Sequence, residues 1–200
     1  MVVSLSGSMR HNDPTQFVKL FERRTQIFVD NLGWSLATRN GMEIDQYDTN
    51  EAQYFFHHDA NGNIESHFRL SPTISHSLTA DCFSHLVDPT LQLRDALVWE
   101  GTRYFVQPAS RGRYVRRRLE SGIFCQAFEW CLSQGISLIQ AVLETSVLPT
   151  IRSIAPQTYT IGLPSLYCGG HGVRGGGEAV AIRIPINVQT VAEAKSYGTV

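Results

Sequence analysis

The sequence predicts a mixed α/β domain of three layers, a central mixed sheet with helices on both faces, and three observations support it. Apolar residues recur at helical spacing in two long segments, about 13–31 and 112–135. Two strand-like runs flank Asn61-Gly62, a dipeptide that favours a tight hairpin turn. A third run, "SLIQAVLE" at 137–144, is apolar almost throughout, as a strand covered on both faces requires.

Length and charge bound the function. Two hundred residues fit a single domain over 1–200, because a chain of this size buries about 70% of its unfolded surface. A formal charge of -1 gives no global pull toward nucleic acid or acidic membranes, so neither is expected as a partner. Cys82, Cys125, Cys131 and Cys168 form no C-x-x-C pair, and His57, His58 and His171 show no ligand spacing, so no disulfide framework and no metal site is expected. No apolar run suits a secretory leader or a membrane span of ~20 residues, which points to a soluble, cytoplasmic protein.

The elements follow in order. Asp13-Pro14-Thr15-Gln16 has the cap, the first-turn proline and the glutamine of a helix start. Phe17, Leu20, Phe21, Ile27 and Phe28 continue it at helical spacing to Gly33, with Arg24 set in the apolar stripe. Residues 34–50 read as a long ordered loop carrying Glu43, Asp45 and Asp48. Strands at 52–58 and 63–70 flank the Asn-Gly turn. In the second, Ile64, Ser66, Phe68 and Leu70 are expected to share one face and Glu65, His67 and Arg69 the other. A short helix near 79–86 precedes the strand "VWEGTRYFV" at 98–106, and helices at about 112–135 and 146–155 bracket the apolar strand at 137–144. A last strand is expected at 178–186, after the glycine-rich run "CGGHGVRGGGE", which lacks the strand–loop–helix setting of a phosphate cradle.

The strand at 98–106 is unusual. Glu100 and Arg103 stand three apart and in a regular strand would point to opposite faces. A bulge at Gly101 is expected to bring them to one face and to free backbone amides from the ladder. An edge-strand salt bridge is the plainer alternative.

Several separated motifs carry a resemblance. Arg24-x-x-x-Phe28, Leu32-Gly33-Trp34, Glu43-x-Asp45-Gln46-Tyr47-Asp48, Tyr54, Arg69-Leu70-x-Pro72-Thr73, Phe83 and Val98-Trp99-Glu100-x-x-Arg103-Tyr104 occur in one order over residues ~24 to ~105. In this the chain resembles the acyl-homoserine-lactone synthases, the bacterial autoinducer synthases. The resemblance implies an N-acetyltransferase-like fold. It implies transfer of an acyl chain from acyl carrier protein or acyl-CoA to S-adenosylmethionine, with release of methylthioadenosine and an acyl-homoserine lactone. S-adenosylmethionine enters as a substrate, and no cofactor is implied.

The residues suit that chemistry. A ligand with a sulfonium, an ammonium, a carboxylate and an adenine calls for aromatic faces, acids and an arginine. Phe28 and Trp34 offer the faces, Asp45 and Asp48 the anions, and Arg24, Arg69 or Arg103 a fork for the carboxylate. Whether these charges touch substrate or fasten the loop to the sheet is open at this level. Glu100 is the candidate base that deprotonates the amine, with Arg103 beside it as the second catalytic candidate. Phe105, Ala141, Val142 and Leu143 are candidates to line an acyl slot, Val142 first among them. The cluster Arg111, Arg113, Arg116, Arg117 and Arg118 is either an anion site for the donor or a solvated basic face. Two other functions stay open: an N-acyltransferase acting on another amine, and a non-catalytic binding protein.

Overall fold

The computed structural model describes residues 2–110, 112–167 and 177–199. An edge strand, β1 (Val2–Ser6), leads through a 3-10 turn to α1 (Pro14–Arg24), where the Asp13 carboxylate accepts from the Gln16 amide. The helix continues as π-helix over Thr25–Asn31, just before the loop that carries Trp34. That loop holds a small hairpin, β2 (Thr38–Arg39) and β3 (Met42–Glu43). There follow β4 (Gln53–His58), β5 (Ile64–Pro72), α2 (Leu78–Cys82), β6 (Val98–Val106) and α3 (Arg113–Ser133). The chain continues with β7 (Leu138–Glu144), α4 (Leu148–Ile154), β8 (Tyr159–Thr160), β9 (Ser165–Tyr167), β10 (Gly177–Pro185) and α5 (Val188–Tyr197).

The main sheet runs β1-β4-β5-β6-β7-β10-β8, with β9 also on β10. Its β6–β7 pair is parallel and its other pairs antiparallel, so the sheet is mixed. On one face Phe17, Leu20 and Phe21 of α1 pack with Tyr54, Phe56 and Phe105. On the other, Ile123, Phe124, Ala127 and Phe128 of α3 pack with Phe55, Phe68, Leu70 and Ile139, backed by Ile151 of α4 and Val191 and Ala194 of α5. Helices therefore cover both faces, as expected.

Two expectations about register need correction. The β4–β5 register shifts between His57 and His58, so Glu65 is extra and Ile64 joins the α1-side core, while Phe68 and Leu70 face α3. The bulge in β6 is not at Gly101. Gly101 pairs regularly with Leu70, and a Cβ there would lie 2.7 Å from Phe68 Cζ and 3.1 Å from Ile139 Cγ2; its role is close packing. The shift falls between Thr102 and Phe105, where Arg103 takes a left-handed φ of 53°. Arg103 then turns toward the α1 face and Tyr104 packs on Phe124, so Glu100 and Arg103 do share a face, for a different local reason.

β6 and β7 pair only over Val98–Glu100 against Leu138–Gln140, and beyond those residues they part. The β6 edge past Glu100 is thus released from that ladder. Strands β1, β2, β3, β8 and β9 and helix α5 were not anticipated. Arg111, Cys168, His171 and most of the glycine-rich run lie outside the described residues.

Candidate active site

Three arginines and three acids meet on the α1 face. Arg24, fully buried in α1, donates from Nε to Glu43 Oε2 at 2.6 Å and from its terminal nitrogens to both Asp48 oxygens at 2.7 and 3.0 Å. Arg69 of β5, also fully buried, forks onto Asp45 at 2.6 and 2.9 Å and reaches Asp48 at 2.6 Å. Its Nε donates to Thr102 Oγ1 at 2.9 Å. Arg103 of β6 holds Glu43 and Asp45, each at 2.8 Å. A buried arginine needs such partners, and this one network satisfies all three.

Burial alone would push Asp48 up, but Arg69 and Arg24, with hydrogen bonds from Arg24 and the Asp45 amide, hold its carboxyl well below the usual range. Tyr54 donates to the same carboxylate at 2.9 Å, and burial, then that carboxylate, raises its phenol. Arg24, Arg69 and Asp48 are enclosed by one another and tie the 34–50 loop to the sheet. The side chains of Arg103 and Asp45 retain 8% and 17% exposure at the edge of this cluster. Beside them Trp34, half-buried, stacks on Phe28 with centroids 5.0 Å apart, and Arg103 lies 5.6 Å over the Phe28 ring.

His67 was overlooked in sequence. It is fully buried, and its Nδ1–H donates at 2.7 Å to the Arg103 carbonyl, bracing the left-handed residue. Burial, then Arg24, keeps the imidazole well below its ordinary range and so neutral.

Glu100 is fully buried and stands apart from the arginine network. Its carboxylate accepts from Ser77 Oγ at 2.7 Å, from the Thr79 hydroxyl and amide, and from Gln140 Nε2 at 3.3 Å. Burial raises its pKa, and the hydrogen bonds from Thr79, Ser77 and Gln140 oppose that rise. Glu100 and Arg103 therefore share a face without touching. Gln140 carried a signal that sequence reading passed over, since an amide inside a doubly covered strand must find partners.

The four proposed acyl-slot residues separate. Val142 lies two residues past Gln140 on the Glu100 face and packs against Leu86, Val87 and Ile161. Phe105 is on that face too but is enclosed with Phe28 in the α1 core. Ala141 and Leu143 point the other way, toward α3. A slot confined to one face cannot include all four; one that passes through the β6–β7 split can touch both sides.

Of the basic cluster, Arg113, Arg116 and Arg117 line a cleft of about 340 Å³ with Thr150, Ser153 and Tyr197. Arg116 donates to Glu120 at 2.8 Å and to the Val106 carbonyl at 3.1 Å, Arg117 lies over Tyr197, and Arg118 over Tyr114. No described helix is long and apolar enough to cross a membrane.

Comparison with known proteins gives this geometry a context. The isovaleryl-homoserine lactone synthase of Bradyrhizobium diazoefficiens is 30% identical over 167 residues, 83% of this chain and 74% of the relative. The solved structure of a CoA-dependent acyl-homoserine lactone synthase, BjaI, with SAM and isopentyl-CoA superposes with a TM-score of 0.84 at 27% identity, covering 99% of this chain and 89% of that one. A putative N-acetyltransferase from Lactobacillus plantarum shares the fold alone, at a TM-score of 0.59 and 16% identity over 94% of this chain and 98% of that one. The N-acetyltransferase-like architecture expected from the motifs is thus present. The sequence model for autoinducer synthases matches residues 8–164, well over half the chain, and the protein belongs to the autoinducer synthase family.

Proposed function

We propose that this chain transfers an acyl group from acyl-CoA or acyl carrier protein to S-adenosylmethionine and closes the product to an N-acyl-homoserine lactone, a quorum-sensing signal, releasing methylthioadenosine. The observation that carries the reading is the gathering of the arginine–acid network, the Phe28–Trp34 pair and Glu100 on one sheet face, in a chain that superposes on BjaI over 99% of its length. S-adenosylmethionine acts as a substrate, no cofactor is invoked, and the reaction is assigned to the cytoplasm. The whole chain, 1–200, works as one domain.

In this reading Trp34 and Phe28 face the adenine and sulfonium, Asp45 takes the ammonium or a ribose hydroxyl, and Arg103 orients the carboxylate. Arg24, Arg69 and Asp48 shape that pocket by fixing the loop that forms it. Glu100 removes a proton from the ammonium, and the amine attacks the thioester carbonyl. The oxyanion is received by β6 amides released at the split, and collapse expels the thiol. The carboxylate oxygen then attacks the carbon next to the sulfonium, where positioning alone supplies much of the acceleration, and methylthioadenosine leaves. The cleft of Arg113, Arg116 and Arg117 suits the phosphate of the donor's pantetheine arm.

Incubation of the purified protein with S-adenosylmethionine and a panel of acyl-CoA and acyl carrier protein thioesters should yield methylthioadenosine and a lactone. Acylation of a different amine without lactone would favour a general N-acyltransferase, and no product from any donor would favour a binding protein.

Two substitutions test the pocket. Trp34→Ala should weaken S-adenosylmethionine binding with little change in melting temperature, because Trp34 sits half-exposed in the loop; a large melting shift at unchanged affinity would instead make it a core residue. Ala141→Phe should shift product toward shorter chains. Each buried methylene contributes about 0.8 kcal/mol, so a chain two carbons too long is disfavoured roughly tenfold or more. Product analysis showing unchanged chain length would move the acyl slot to the Val142 side.

A further inference from the structure

Arg183 is a guanidinium 7% exposed in the middle of β10, and among the described residues its hydrogen bonds go to neutral oxygens: Gln140 Oε1 at 3.2 and 3.0 Å, and the Gln92 carbonyl at 2.6 Å. The reaction assigned above makes no use of it. Its consequence lies in the amide between it and Glu100. A guanidinium has donors only, so the Gln140 atom facing it must be the oxygen, and the amide nitrogen must face the other way. That nitrogen lies 3.3 Å from Glu100 Oε2. Without Arg183 the amide oxygen loses its partner and the amide is held from its nitrogen side alone, by Glu100 at 3.3 Å and by Ser77 Oγ and the Leu93 carbonyl at 3.5 Å, so its bond to the carboxylate is less firmly set. Gln140 has no exposed surface, so water cannot make good the loss.

We propose that Arg183 is a positioning residue for Glu100, acting through Gln140, and that this relay favours the ionised form of the buried carboxyl. The other groups around Glu100 leave the task to it. At the start of α2, the capping Ser77 and Thr79 are neutral donors, and Asp81 is engaged with Arg94, the Tyr47 hydroxyl and the Ser77 amide. On β5 and β6, Arg69 and Arg103 are occupied by Asp45, Asp48 and Glu43, and His67 is neutral. β7 contributes Gln140 itself, and β10 contributes Arg183.

The catalytic meaning of the relay rests on Glu100 being the base, but its existence does not, so the test reads the carboxyl directly. In protein labelled at the glutamate side-chain carboxyl carbon, the Glu100 signal is assigned by its loss in Glu100→Gln and followed by NMR as pH is varied. Arg183→Met should raise the Glu100 midpoint by about one pH unit, a tenfold change in its ionisation. Arg183→Lys, which keeps a donor toward Gln140, should restore most of that shift. Gln140→Met should raise the midpoint as far, and the double variant no further than Gln140→Met alone, because a relay has one path. A purely structural role for Arg183 would lower the melting temperature in the Met and Lys variants without moving the midpoint. An unchanged midpoint in Arg183→Met overturns the proposal, as does an additive double variant. Should Arg183→Met fail to fold, an unchanged midpoint in Gln140→Met is equally decisive. Full turnover in Glu100→Gln would defeat the base assignment and leave the relay to be judged by the titration.

Discussion

Glu100→Gln is expected to lower turnover at least ~100-fold while leaving the melting temperature near neutral pH unchanged or slightly raised. The two effects share one cause. Glu100 has no exposed surface, and burial pushes its pKa up, so its ionised form is destabilised by the fold. A carboxyl raised in this way contributes stability at pH below its unfolded value and loses it as pH rises through the folded one. The neutral amide never meets that penalty, so the variant's relative stability should improve with increasing pH. It also keeps the size of the side chain, and the Ser77 and Thr79 hydroxyls can rotate to accept from it. What is lost is the ability to take a proton, together with the weak hydrogen bond from Gln140 Nε2. Steady-state assays with saturating substrates, beside calorimetry at pH 5 and pH 8, check both halves. Near-normal turnover in the folded variant would remove Glu100 from the role of base.

How much of this site is legible in sequence depends on how far away the partners of each residue lie. Arg24 in an apolar stripe and Arg69 in a strand were conspicuous because a buried arginine must be paired, and the acids that pair them lie in the one loop that is rich in acids. The hairpin was legible because Asn61-Gly62 fixes the turn locally, and Gly62 does adopt φ 81°. That Glu100 and Arg103 share a face is also legible, but the glycine is not its cause. The left-handed residue is Arg103, held by Glu43 and Asp45 through its guanidinium and by His67 through its carbonyl, partners 36 to 60 positions away. Nothing local announces them. The same distance hid β1, an edge strand defined by its pairing with β4, and the direction of Ala141 against Val142, which depends on how β7 registers with β6. Helix α5 had a start signal in Asn187, whose side chain accepts from the Thr190 amide; only Val191 and Ala194 among its apolar residues are buried, too few to stand out as a stripe.

Arg24→Met should be the most damaging single change in the arginine network. Met fills the volume and suits a helix, so the loss is that of charge and hydrogen bonds in a space with no water. Arg24 holds Glu43 at 2.6 Å and both oxygens of Asp48, and neither carboxylate has an exposed side chain to rehydrate. Arg69 and Arg103 remain, leaving three acids against two bases. Breaking a buried ion pair from one side costs about 3–5 kcal/mol, which for a chain of this length lowers the melting temperature by ~6–20 °C. Arg24→Lys should recover only part, because an ammonium cannot span Glu43 and both Asp48 oxygens at once. The pH dependence supplies the sign. In the native protein Asp48 is held well below its unfolded pKa, so its contribution is present above about pH 4 and is lost only in strong acid. With Arg24 gone its pKa rises, although Arg69 still holds it down; protonation then relieves part of the unpaired charge, and the gap to the native protein should narrow as the pH falls toward acid. A melting temperature within 2 °C of the native value at pH 7, or a gap that widens in acid, would mean that the loop is held by its apolar contacts and that Arg24 is free to serve the substrate instead.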